Sequence, residues 1–584
     1  MSITDSSRVH EILQRGILLS LAAWGLAGFF HSTWKQAASG ASRKAVLCVA
    51  GFAVLAGILI YTIVFSKSGL MGWDDAENAR RSLVIAQDFS TGRWLQLWND
   101  INAQVLWGPG YALALAWGYT ALGATYATGC ILSLFFYLLA SVAVYRIAVI
   151  LDRDHGWLIG LIAASLLLSS PAAIQLSATT MSEPFLMFLL PATLLVRLND
   201  ASSCQPGRLV AFSLLSAVVF LSKYNYGLLI ILSIFLVDLW DYVRLRSDRT
   251  VQAYTRSWTQ LFAFGYLPFI VVTIAWFSIN TKAKLDGFRY FMINVPRVQS
   301  SVFSDYRLFY YPRLFSTQYM SASWLPWVIL PFLVIGLCAG RRSPARKISV
   351  FFLISAAAAT AHALKAPRYF VPLLPFLWII VGYGVSVALR WLAARTPRTV
   401  ERTALVATAS LFLVVAPIEA YGRLVSDAPY VYNGNLSRNP DVIHALTEMT
   451  STIRSEAHGA RQMAVWGTFA EFSPALVSWN LLTAEDTAPL AATLLFDPPQ
   501  ESSKDPDGTV AEWLRDHPQA TLCAIYMSDG SPLHHRDYQV FNSWKRTYVD
   551  DMQNNYRRYG WRLNRESSFP EAGVTMRIYK HDEN

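Results

Sequence analysis

Long apolar runs broken by short basic and aromatic stretches fill most of this chain between residues 45 and 419. They lie near 45–65, 127–145, 157–176, 184–196, 209–221, 226–240, 259–279, 323–339, 348–364, 369–389 and 403–419. A helix needs about 20 mostly apolar residues to cross a bilayer, and the pattern predicts about eleven such helices, several of them short. Two further stretches, 16–30 and 107–123, fall below that length; the first reads as an interfacial helix and the second as one that dips into the membrane. If they also crossed, the count would be 12 or 13. Beyond residue 425 the long apolar runs stop and turn-forming residues spread throughout. Short β-rich runs at 462–466, 520–526 and 574–579 alternate there with helix-like stretches at 441–455 and 509–516, and 497–507 reads as an exposed loop.

This pattern predicts three parts. Residues 1–44 form a cytoplasmic or interfacial segment, 45–424 a transmembrane domain with outer loops at 66–126 and 280–322, and 425–584 a soluble α/β domain of ordinary domain size. Among the 584 residues, 54% are hydrophobic and 14% aromatic, which excludes an ordinary soluble protein. The formal net charge of +10 does not point to nucleic acid, because Lys and Arg gather in short loops between the apolar runs. They make up roughly a quarter of the loops on one side and about an eighth on the other, the asymmetry expected of cytoplasmic and outer loops. With an odd number of spans, the loop after the first span, the 280–322 loop and the C-terminal region share the extracytoplasmic side. The N-terminus lacks a small-residue cleavage site and reads as a retained anchor. Of the five cysteines only Cys523 lies in the C-terminal region, which excludes a disulfide within it.

The candidate chemistry follows from this topology. Asp74, Asp75 and Glu77 crowd the loop just after the first span, where carboxylates are costly to desolvate. They read either as an N-cap with first-turn acids or as a general base tuned by a second carboxylate. Glu183, followed by Pro184, stands at the outer start of the fourth span, as a helix N-terminus or a functional acid. Lys223, with Tyr224 beside it, separates two short spans and is either a snorkelling lysine or an anion ligand. Lys365 and Arg368, next to Tyr369, put two cations in an outer turn against the inside-positive bias, and the Arg368 fork suits a phosphate. The aromatic, basic 280–322 loop is either an interfacial anchor or a substrate lid. No phosphate-binding glycine loop, dinucleotide fingerprint or nucleophile elbow is present.

Taken in order, these motifs resemble the GT-C glycosyltransferases that use polyprenyl-phosphate sugars, the group of protein O-mannosyltransferases and lipid A aminoarabinose transferases. The resemblance covers roughly residues 45–422. It rests on Asp74-Asp75 followed by GPGYALALAWGYTALG, on Glu183-Pro184, on Lys223, and on Arg368, Tyr369, Pro372 and Pro375 in an RY-x-x-P-x-x-P pattern. The chain departs from the family in having Asp-Asp rather than Asp-Glu and a single Pro before the first aromatic.

What the resemblance implies is a GT-C fold and transfer of a sugar from a polyprenyl-phosphate donor to an acceptor hydroxyl, with inversion. Asp74 and Asp75 would be the catalytic acids, with Asp74 as base. Glu77, Glu183, Lys223, Tyr224, Lys365, Arg368 and Tyr369 would contact substrate, the cations meeting the departing phosphate. The expected partners are the lipid-linked sugar, a glycan, lipid or protein acceptor and the bilayer, with no nucleic acid. No cofactor is required, no metal ligand is assigned, and a divalent metal is left open. The expected location is the inner membrane of a bacterium, with the endoplasmic reticulum as alternative. A flippase of lipid-linked glycans and a non-catalytic membrane scaffold are the competing readings; a flippase would be expected to show an internal repeat, and none is visible.

Overall fold

The computed structural model of the chain describes residues 40–64, 73–102, 108–152, 154–199, 205–246, 258–289, 305–340, 345–362, 366–425, 440–457, 462–467, 494–496, 520–527, 552–570 and 574–581. The stretches 16–30, 497–507 and 509–516, and Lys365, lie outside the described residues. The protein divides into two compact units, Met1–Ser66 with Ile85–Tyr432, and Lys67–Val84 with Asn433–Asn584.

The first unit is a bundle of apolar helices, and the protein is a multi-pass membrane protein. Each of the eleven apolar runs coincides with helix. Six helices among the described residues are long and apolar enough to cross a membrane: Arg43–Val64, Tyr126–Leu151, Tyr224–Val243, Trp258–Ser278, Pro367–Ala393 and Thr403–Gly422. Gly156–Leu168, Pro206–Ser222 and Leu325–Gly340 are apolar but shorter. The stretch at 107–123 forms the 13-residue helix Gly110–Leu122, too short for a straight crossing. Burial separates centre from rim: the most apolar 18-residue stretch is 89% buried in Pro367–Ala393 against 17% in Thr403–Gly422. A helix apolar on all sides belongs in such a centre.

Small residues let the central helices approach. A Cβ on Gly384 would lie 1.8 Å from the carbonyl oxygen of Phe332, and one on Gly336 would lie 2.1 Å from that of Ile380. Glycines at facing positions are how helices pack closely where lipid supplies no hydrophobic drive. Prolines shape other helices. Pro268 and Pro417 each follow a π-helical turn, at Leu261–Tyr266 and Leu411–Val415, where the wider turn accommodates the ring and the missing N–H.

A buried polar cluster ties four segments at one end of the unit. Asp238, on the helix Tyr224–Arg246, accepts both oxygens' worth of hydrogen bonds from Arg197 Nη2 at 2.9 Å, one from the Tyr266 hydroxyl at 2.7 Å, and an ion pair from Lys347. Arg346 pairs with Asp241. Two cations that the sequence pattern explains as orientation signals therefore also hold helices together.

The second unit carries a five-stranded sheet: β1 (Gln462–Gly467), β2 (Leu494–Phe496), β3 (Ala520–Met527), β4 (Trp561–Phe569) and β5 (Val574–His581). The order is β2-β1-β3-β5-β4, with β1 parallel to β2 and β3, and β5 antiparallel to β3 and β4. Leu522, Cys523, Ala524 and Ile525 are all fully buried, as in a central strand covered on both faces. Burial also pushes the Cys523 thiol well up, so it packs as an inert apolar group. The helix Pro440–Ala457 contributes Ala445, Leu446, Met449 and Ile453 at helical spacing. At its end Glu456 accepts from Lys580 at 3.0 Å and Asn564 at 3.1 Å. Three strands match the sequence expectation; β4, at the sheet edge and mostly exposed, does not announce itself by alternation.

Candidate functional site

Lys223 occupies a break between two helices. The helix Pro206–Ser222 ends as Lys223 takes an extended conformation, φ −158° and ψ 106°, and the next helix begins at Tyr224. The Lys223 N–H still bonds the Val219 carbonyl at 2.8 Å, and its own carbonyl accepts from the Tyr226 N–H at 3.1 Å at the start of the next helix. The side chain reaches Glu183, its Nζ donating to Oε1 at 2.6 Å. Both groups are buried, at 5% and 0% exposure. Glu183 opens the helix Glu183–Asn199 with Pro184 just inside it, so the helix dipole also favours its negative charge. Its second oxygen, Oε2, has no hydrogen-bond partner among the described residues.

Arg368 and Tyr369 come to the same place from far along the chain. They form the short 3-10 turn Pro367–Tyr369 ahead of the central helix Leu374–Ala393. Lys223 Nζ lies 5.0 Å from the Tyr369 ring centroid and the Arg368 guanidinium 5.2 Å from it, within cation–π range. Arg368 Nη1 is 3.9 Å from the Met181 sulfur, two residues before Glu183. One acid and two cations thus meet around one aromatic ring.

The other expected site residues are distributed differently. Tyr224 packs among Phe220 and Phe277, and its hydroxyl accepts from Trp276 Nε1 at 3.0 Å. Tyr226, which sequence reading passed over, is the tyrosine that bonds the Tyr369 carbonyl. Its spacing of three from Lys223, one helical turn, is the signal that could have marked it. Asp74, Asp75 and Glu77 begin the helix Trp73–Ser90 and group with the second unit. The Asp74 side chain lies outside the described residues, and Asp75 is buried. Glu77 accepts from Arg80 at 2.9 and 3.0 Å and from Arg81 at 2.6 Å. Burial alone would raise its carboxyl, but the two guanidiniums hold it at about 2. Among the described residues, no group of three or more His, Cys, Asp or Glu could hold a metal ion.

No protein-family model matches the chain, and a search of curated proteins finds no match. Solved structures do match. ArnT from Cupriavidus metallidurans bound to undecaprenyl phosphate aligns at 15% identity with a TM-score of 0.56, over 91% of this chain and 97% of that one. The apo state of the same protein aligns at 14% identity and a TM-score of 0.56, over 91% and 98%. The chain has the GT-C fold. The match extends over parts of both units.

Two outcomes follow from the electrostatics. Lys223→Met leaves Glu183 buried without its partner and lowers stability by about 3–5 kcal/mol, whereas Lys223→Met with Glu183→Leu recovers most of the loss; unfolding midpoints of the detergent-solubilised variants measure the cycle. Glu77 has a folded pKa below its ordinary 4.5, so its contribution is full above pH 4.5 and is lost as pH falls towards about 2. Glu77→Gln should flatten the acid limb of the stability profile over that window.

Proposed function

We propose that the protein is an integral membrane glycosyltransferase that moves a sugar from a polyprenyl-phosphate donor to an acceptor hydroxyl on the extracytoplasmic face of a bacterial inner membrane, with inversion. The observation that carries this reading is the buried Glu183–Lys223 pair with Arg368 at the Tyr369 ring, two cations brought to one aromatic side chain among the apolar helices of a GT-C fold. A lipid phosphate needs both of those environments, apolar walls for the chain and fixed cations for the head. The similar ArnT binding undecaprenyl phosphate supports the same choice of ligand.

In this reaction the acceptor oxygen attacks the anomeric carbon as the bond from that carbon to the phosphate oxygen breaks. The bonding pair leaves with the phosphate, and the acceptor proton passes to a carboxylate. Arg368 and Lys223 meet the negative charge that develops on the leaving phosphate, the place where fixed cations act most strongly on rate. Glu183 holds Lys223 in position. Asp74 takes the proton, with Asp75 tuning it or holding the sugar; this assignment rests on the order of motifs in the chain. Domain boundaries at about 45–424 and 425–584 belong to the same reading.

Membranes containing the protein, given radiolabelled polyprenyl-phosphate sugars, should transfer label covalently to an acceptor. Asp74→Asn should reduce transfer about 100-fold or more, and Arg368→Ala should weaken use of the donor. Undiminished transfer by Asp74→Asn would remove that residue as the base. Label that crosses the bilayer while still on its lipid would make the protein a flippase.

A further inference from the structure

The turn that carries Arg368 and Tyr369 is gripped through its backbone by tyrosines from two other segments. The Tyr319 hydroxyl donates to the Pro367 carbonyl at 2.7 Å, and the Tyr226 hydroxyl donates to the Tyr369 carbonyl. These two carbonyls bracket the Arg368–Tyr369 pair, so both peptide planes around it are held. Tyr319 and Tyr226 are buried, at 0% and 3% exposure. Each is anchored in turn. The Tyr319 carbonyl accepts from the Ser170 hydroxyl at 2.9 Å, and Tyr226 lies one helical turn from Lys223. Phe370, next after the turn, fills an aromatic box of Tyr311, Phe315 and Tyr319 at centroid distances of 5.3 to 5.5 Å.

A short 3-10 turn has poor internal hydrogen-bond geometry and would otherwise sample several backbone states. Its own bonds are few: Tyr369 N–H to Ala366 at 3.1 Å and Phe370 N–H to Pro367 at 3.2 Å. A cation that must meet a phosphate in one geometry loses affinity if its backbone has to be ordered on binding. The turn's neighbours remove that cost beforehand.

We propose that Tyr226 and Tyr319 are positioning residues, a hydroxyl latch on the Pro367 and Tyr369 carbonyls that preorganises Arg368 and Tyr369 for the phosphate of a polyprenyl-phosphate ligand. The latch rests on the lipid-phosphate reading above. It also links the two cations, because the stretch Lys223–Tyr226 pairs with Glu183 at one end and pins Tyr369 at the other. Tyr226 and Tyr319 touch no reacting atom in this role; they act through the turn.

The test is titration of undecaprenyl phosphate into the purified full chain in lipid nanodiscs, followed by tryptophan fluorescence, for wild type, Tyr226→Phe, Tyr319→Phe and the double variant. Phenylalanine keeps the ring packing and removes only the hydroxyl. Each single variant should bind about fivefold more weakly and the double more than tenfold, the size of one and two net hydrogen bonds. Tyr266→Phe is the control: its hydroxyl bonds Asp238 near the far end of the Tyr224–Arg246 helix, so it should lower the unfolding midpoint and leave affinity unchanged. A latch that only stabilised the fold would behave like that control. Wild-type affinity in the double variant, within twofold, overturns the latch and leaves the lipid-phosphate reading standing. No binding by wild type overturns that reading and the latch with it.

Discussion

The 2.6 Å ion pair between Lys223 and Glu183 is the interaction on which the arrangement of this protein's helical unit turns. Burying either charge alone is expensive, and the pair persists because each supplies what the other lacks. At Lys223 the chain leaves the helix Pro206–Ser222 and starts the next, Tyr224–Arg246, with the side chain turned to Glu183. The break places Tyr226 one turn further on, where its hydroxyl meets the Tyr369 carbonyl. A helix boundary, a buried ion pair and the seat of the RY turn therefore meet within Lys223–Tyr226.

Beside the pair, the second cation of the site is Arg368. Its guanidinium stands beside the Tyr369 ring, with Met181 at its edge, in surroundings that offer packing more than solvent. A cation held this way is poised for a ligand that brings its own negative charge and an apolar tail. The opposite end of the unit shows the contrasting solution. There Asp238 takes Arg197, Lys347 and Tyr266 together, its oxygens fully engaged, and the cluster works as a rivet between helices. The two clusters use the same residue types for different ends, and what distinguishes the first is Glu183 Oε2, which has no hydrogen-bond partner among the described residues.

Much of this was legible along the chain, for physical reasons that differ from residue to residue. The apolar runs marked the helices because lipid allows few alternatives, and Lys223 fell between two of them. Arg368 stood out because a cation on the outer side runs against the topology bias, and Glu183 because an acid preceded an apolar run. Tyr226 and Tyr319 did not stand out, since tyrosine is common near membrane surfaces and a hydroxyl-to-backbone bond leaves no spacing rule behind. Tyr224, expected to touch substrate, packs in an aromatic cluster with Phe220 and Phe277. Strand β4 escaped notice because an exposed edge strand needs no apolar face. The grouping of residues 67–84 with the C-terminal unit depends on contacts distant in sequence, which no local pattern encodes.

The central claim is that Lys223 and Arg368 serve a lipid phosphate, and the most direct measurement is mass spectrometry of the lipid that co-purifies with the protein. The account predicts a polyprenyl phosphate, free or carrying a sugar, enriched over bulk membrane lipid in the wild type and lost in Arg368→Ala. Recovery of ordinary phospholipids alone, in the same proportions from both proteins, would contradict it.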